Sequence, residues 1–304
     1  MMVGMTSTLR RAPPGFTAGQ WDAFERDGFF FVEDVLDGAT CDRYAQAIWG
    51  LARADAGWSP EKHFSRANLV RQDRIFEDLI DRDSHIGFAY DLYGELTKVH
   101  LSQAMLRPRG GWYNLWHPDG PRALPYRVFS PDLPLQLKIA YWLTDVPKPR
   151  MGNLVVFPGS HRSTYFDAYD THDSVPGECI TTPRRGSMLV MNANLWHRVE
   201  ANDTDQVRCN IFLTYSPSWI VSEDRHCDEA DWVESLPRER RILMRAHPWP
   251  YGNQKPPARD FPLFLDRETG ADRDVGVYRD HVELHRRKRR TWAEGLRELQ
   301  PQGA

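Results

Sequence analysis

Residues 113–120 read "YNLWHPDG", and they place His117 and Asp119 two positions apart with Pro118 between them. On extended backbone two such side chains share one face. An imidazole beside a carboxylate can hold a divalent metal, or it can be a plain hydrogen-bonded pair. The surroundings decide. From residue 99 onward the chain breaks into short strand-like runs: "VHLSQAMLRP", "WYNLWHPD", "LQLKIAYWLTDV", "NLVVFPGSH", "CITTPRRGSMLVMNANLWHRVE" and "VRCNIFLTYSPSW". Gly, Pro, Asn and Asp turns separate them. That pattern predicts an antiparallel β-sandwich or small barrel.

Upstream the pattern is mostly helical. Residues 1–16 read as a flexible tail ending in Pro13-Pro14-Gly15. Thr17 is a helix N-cap candidate, Trp21 and Phe24 share a helical face, and Gly28 can close that helix. "FFFVEDVL" then reads as a strand. Tyr44, Ile48 and Leu51 are spaced for a second helix, and a third helical stretch covers roughly 74–97. Past Trp219 the chain turns charged and proline-rich. The expected organisation is a tail (1–16), a β-domain with N-terminal helices (17–219) and a helical or irregular extension packed on the same domain (220–304).

Composition excludes several classes. The 304 residues are 41% hydrophobic and 27% charged, with a formal net charge of -3. That balance is ordinary for a globular protein and argues against nucleic acid as a partner. The basic run 286–290 is offset by Glu283, Glu294 and Glu298, which favours a solvated helix face. Cys41, Cys179, Cys209 and Cys227 are widely separated, as expected of free thiols in a cytoplasmic protein. No leader-like segment and no apolar run of about 20 residues is evident, so no membrane association is expected. A homodimer stays open.

Two ligands hold iron or zinc poorly, so a third is required. Of the 11 histidines, His161, His172 and His197 lie in the β-region. His161 follows the turn "FPGS" and His172 sits in a polar loop. His197 directly follows a long strand-like run, and rigid elements make better metal scaffolds. A hairpin about Asn202-Asp203 would set His197 opposite Arg208. An arginine on an inward face needs an anion, and a ligand carboxylate suits its fork. Two histidines and one carboxylate leave open metal positions, the arrangement used by non-haem Fe(II) oxygenases. A 2-oxo acid could chelate there and reach Arg208 with its far carboxylate. Zinc is the rival metal, although a zinc hydrolase would not require the arginine.

"HPD" at 117–119, "GNLVVFPGSH" at 152–161, His197 followed by Arg208, and "FERDGFFFVEDVL" together resemble the phytanoyl-CoA dioxygenase-like family over roughly residues 17–216. The resemblance implies a mainly β fold with flanking helices around a double-stranded β-helix (jelly-roll, cupin-like) core. It implies Fe(II), with 2-oxoglutarate and O2 as co-substrates. His117, Asp119 and His197 match the iron positions, Arg208 the co-substrate anchor, and Gln103 a strand residue near the co-substrate. The implied reaction hydroxylates an unactivated C–H bond of a small-molecule substrate and forms succinate and CO2. Asp119 disfavours halogenation, which relatives perform with Gly or Ala at that position. An Arg-, Asp- and Pro-rich composition suits a GC-rich bacterium, where such enzymes tailor natural products. The competing readings are an inactive jelly-roll binding protein and a cupin-like metal lyase or isomerase. Arg122 and Arg127 lie in a loop long enough to serve as a lid, and Tyr215 is a further cavity candidate.

Overall fold

The computed structural model describes residues 10–111, 114–119, 134–163, 166, 168, 171–224, 230–244 and 263–264. Helix α1 (Ala18–Asp27) opens with a capping box in which Thr17 and Gln20 exchange side-chain and backbone hydrogen bonds. It closes at Gly28, whose φ of 85° is a left-handed conformation that favours glycine. Strand β1 (Phe29–Val32) follows directly. Helix α2 (Gly38–Ala54), capped by Asp37, buries Tyr44, Ile48 and Ala52. After β2 (Phe64–Ala67) come α3 (Leu69–Gln72), a 3-10 turn at Arg74–Ile80 and α4 (Asp83–Tyr93).

The remaining strands are β3 (Thr97–Arg107), β4 (Leu137–Trp142), β5 (Leu154–Val156), β6 (Cys179–Ile180), β7 (Met188–Asn192), β8 (His197–Val199) and β9 (Arg208–Pro217). They form two antiparallel sheets, β1-β7-β4-β9-β3-β2 and β6-β5-β8. This is the mainly β jelly-roll fold with flanking helices. Alternation splits each long strand between two cores. Phe30, Ile139, Ile211 and Leu213 pack outward against the helices, while Ala140, Trp142, Leu189, Met191 and Phe212 face the small sheet.

Four features differ from the sequence expectation. Residues 114–119 form no strand. His117 instead makes an isolated bridge with His197, each backbone N–H donating to the other's carbonyl at 3.0 Å. His197 and Arg208 are not hairpin partners. β8 pairs with β5 in the small sheet, and β9 pairs with β3 and β4 in the large one. Asn202 causes the separation. Its Oδ1 accepts from Thr204, its Nδ2 donates to Arg107 and Gln206 carbonyls, and its backbone bridges Gly110 and Met151. The chain therefore crosses between sheets where a tight turn was expected. Residues 10–16 pack against the helices, with the Phe16 ring among Trp21, Phe24, Phe30 and Phe88. Tyr215 faces outward, away from the space between the sheets.

Helices α5 (Ala230–Ser235) and α6 (Arg238–Leu243), with Leu263 and Phe264, complete the helical core. No described helix is long and apolar enough to cross a membrane. The expected lid with Arg122 and Arg127, residues Trp112 and Tyr113, and the basic run 286–290 lie outside the described residues.

Candidate metal centre

Three side chains from two chain segments converge between the sheets. His117 comes from the irregular 114–119 segment, which the His197 bridge pins to β8. Asp119 is held by its own N–H, which donates to the Ala193 carbonyl at 2.7 Å. His197 opens β8 and is 4% exposed. The His117 and His197 rings stand 4.4 Å apart at their centroids. His117 Nε2 lies 3.6 Å from Asp119 Oδ1, and His197 Nε2 lies 3.4 Å from Asp119 Oδ2. One potential ligand atom from each residue falls within a common 4.8 Å.

The histidine tautomers follow from their neighbours. His117 Nδ1 lies 2.6 Å from the Leu115 carbonyl and His197 Nδ1 lies 2.9 Å from the Leu195 carbonyl. A carbonyl only accepts, so each neutral ring carries its proton on Nδ1. The Nε2 lone pairs are left for the shared centre, with orientation fixed by the backbone two residues earlier. Two neutral imidazoles and a carboxylate in this arrangement fit a divalent transition metal.

Beside the centre, the inner face of the large sheet carries an unusual set of polar groups. Arg208 is buried, and burial holds its pKa down to about 9. Its Nη1 donates to the Gly152 carbonyl, and its Nε has no hydrogen-bond partner among the described residues. Gly152 reaches that guanidinium from a left-handed φ of 73°, a strained conformation for any other residue. Among the described residues no carboxylate forms an ion pair with Arg208, so the cation fits an anionic ligand. Arg107 is its direct cross-strand neighbour. Asn210, two positions along β9 and fully buried, leaves both side-chain amide atoms unbonded among the described residues.

Gln103 lies on β3 opposite Phe212, and its Nε2 donates to Ser65 Oγ on the edge strand at 2.7 Å. His161 is structural. Its Nε2 meets the Glu25 carbonyl at 3.1 Å, and its ring abuts Gly28. Lys138 is the residue the sequence reading passed over. It is buried on β4, and its ammonium contacts Asp119 Oδ2. A lone lysine inside the apolar run "LQLKIAYWL" was the available signal.

The phytanoyl-CoA dioxygenase family model matches residues 24–210. An ectoine dioxygenase of Nocardia farcinica is 28% identical over 238 residues, covering 65% of this chain and 76% of that protein. Among solved structures, HygX from Streptomyces hygroscopicus with nickel and 2-oxoglutarate bound superposes with a TM-score of 0.60 at 16% identity. The match covers 70% of this chain and 91% of that one. EctD from S. alaskensis gives 0.54 at 22% identity, covering 69% and 84%. SnoK, a carbocyclase of nogalamycin biosynthesis, gives 0.54 at 20% identity, covering 68% and 87%.

Proposed function

From the premise that this chain belongs to the phytanoyl-CoA dioxygenase family, a family of non-haem iron, 2-oxoglutarate-dependent dioxygenases, we propose that it hydroxylates a small molecule. Natural-product tailoring is the setting we favour, since SnoK is a carbocyclase of nogalamycin biosynthesis and HygX has been crystallised with hygromycin B bound. His117, Asp119 and His197 would hold the iron, and Arg208 would hold the far carboxylate of 2-oxoglutarate. Gln103 would border the co-substrate from β3. The observation that carries this reading is the pairing of a two-imidazole, one-carboxylate centre with a buried arginine that has no counter-ion among the described residues.

The chain's own contributions can be stated residue by residue. The Leu115 and Leu195 carbonyls keep both Nε2 atoms unprotonated and aimed at one point. Arg208 offers a fixed, desolvated fork that orients a dicarboxylate along the inner face. Trp142, Met191 and Phe212 keep water from that face. An iron held by His117, Asp119 and His197 would, together with 2-oxoglutarate, supply O2 activation coupled to decarboxylation to succinate and CO2.

Anaerobic addition of Fe(II) and then 2-oxoglutarate to the apo-protein tests this directly. A weak visible charge-transfer band is expected, absent in His117→Ala and shifted to much higher 2-oxoglutarate concentration in Arg208→Met. Iron binding without any band would remove the 2-oxoglutarate assignment and favour a metal lyase or a vestigial site.

A further inference from the structure

Lys138 stands out because nothing in the family-level reading requires it. β4 is buried along its length, and every other residue from Leu137 to Trp142 is apolar or aromatic. A lysine ammonium is among the least tolerated groups in such a position unless it is paired. Register sets Lys138 opposite Met191 on β7 and Thr214 on β9, so its side chain enters the space between the sheets. The ammonium stands 5.0 Å from the centroid of the Phe212 ring and contacts Asp119 Oδ2. It is thus held between an aromatic face and one oxygen of a candidate metal ligand.

We propose that Lys138 is a positioning residue for Asp119, holding one carboxylate oxygen so that the aspartate ligates a metal through the other alone. The inference rests on the proposed function. In an octahedral site, two histidines and a one-oxygen aspartate leave three positions, enough for a chelating 2-oxo acid and O2. An aspartate bound through both oxygens would leave two, and the 2-oxo acid would fill them. Asp119 is disposed for that second mode, since Oδ1 lies towards His117 and Oδ2 towards His197. A buried ammonium on one oxygen opposes it, as carboxylate and carbonyl partners fix other metal ligands.

Co(II) alone, titrated anaerobically into the apo-protein and followed by visible absorption, tests the proposal. Band position and intensity report coordination number. Lys138→Met keeps the stem and removes the charge and the donor. With Oδ2 released, Asp119 is expected to take Co(II) through both oxygens, which changes the band shape while affinity holds or rises. Lys138→Gln, which retains an N–H donor, should recover most of the wild-type spectrum. In an Asp119→Asn background, Lys138→Met should have little further effect, because Lys138 acts through Asp119. Wild-type affinity and spectrum in Lys138→Met would overturn the proposal and reduce Lys138 to a counter-ion of the metal-free site. Tighter Co(II) binding with an unchanged band would overturn it too, since Lys138 would then be only a cation competing with the metal. If Lys138→Met does not fold, the Lys138→Gln spectrum decides: wild-type-like supports the proposal, and an altered band shows that an N–H donor is not enough and overturns it. Wild-type protein that fails to bind Co(II) would sink the proposed function along with this inference. Co(II) binding with no response to 2-oxoglutarate would sink only the co-substrate reading.

Discussion

The two faces of β9 behave differently. Outward, Cys209, Ile211, Leu213 and Tyr215 pack into the helical core. Tyr215 shows how a polar group is handled there. Its hydroxyl donates towards the Leu79 and Ile80 carbonyls at 3.1 Å and lies 2.6 Å from His85 Nε2. His85 Nε2 must therefore donate, and Nδ1 accepts from the Tyr141 hydroxyl, 2.6 Å away. Ser84 Oγ lies 2.8 Å from Tyr141 and completes the chain as a donor. Inward, Arg208 and Asn210 are equally buried and keep polar atoms unmet among the described residues. Satisfied polar groups add rigidity, whereas unmet ones are a cost that a ligand can remove. One strand thus serves stability on one side and, on the proposed reading, ligand binding on the other.

That contrast can be broken by substitution. Arg208→Met should weaken 2-oxoglutarate binding roughly hundredfold or more. It should leave the thermal midpoint of the metal-free protein unchanged or raised, because no carboxylate among the described residues loses its partner. A band titration and a melt of the same samples check both halves. His85→Ala should do the reverse. It takes one partner from each of two buried tyrosine hydroxyls and opens a cavity, for a loss of roughly 2–4 kcal/mol in denaturant unfolding, with Co(II) affinity unchanged.

The pH dependence of stability follows from His85 and two further buried or half-buried histidines, His63 and His100. Burial holds His85 down to about 3, and His63 and His100 down to about 4, against an ordinary value of 6.5. Below 6.5 the unfolded chain takes up protons that the folded chain refuses. The stabilisation is therefore complete above pH 6.5 and is lost as pH falls from there towards 3–4. Each histidine contributes a slope approaching about 1.4 kcal/mol per pH unit in that window. His85→Gln should flatten the slope by one histidine's share, read from unfolding curves at stepped pH.

Smaller effects sharpen the picture. Asn210→Leu should stabilise the metal-free protein by on the order of 1 kcal/mol, because it removes two unmet polar atoms at similar volume. Loss of stability there would show that Asn210 has a partner in the folded chain. Thr17→Ala, far from either face, should cost about 1 kcal/mol through the lost helix cap.

Much of this was legible from local chemistry. Thr17 and Gly28 marked the ends of the first helix because caps are decided by residues three or four apart. The alternation of β9 and the run "FFF" were readable because strand periodicity is local. His117, Asp119 and His197 were readable as a set because few residue types make strong ligands. The hairpin expectation failed at Asn202, whose side chain bonds backbone from elsewhere, and the strand expectation failed at 114–119 for a similar reason. Lys138 was visible in "LQLKIAYWL" as an oddity, but its role depends on where Asp119 ends up.

The sequence by itself therefore determined the mainly β class and picked out the candidate ligand set and a candidate anion-binding arginine, since these follow from side-chain chemistry and short-range periodicity. Only the tertiary structure decided that His197 and Arg208 belong to different sheets, that Tyr215 faces the helices and that Lys138 meets Asp119. Each of those contacts joins residues far apart in the chain or set by sheet register, and long-range pairing is fixed by the packing of the whole core.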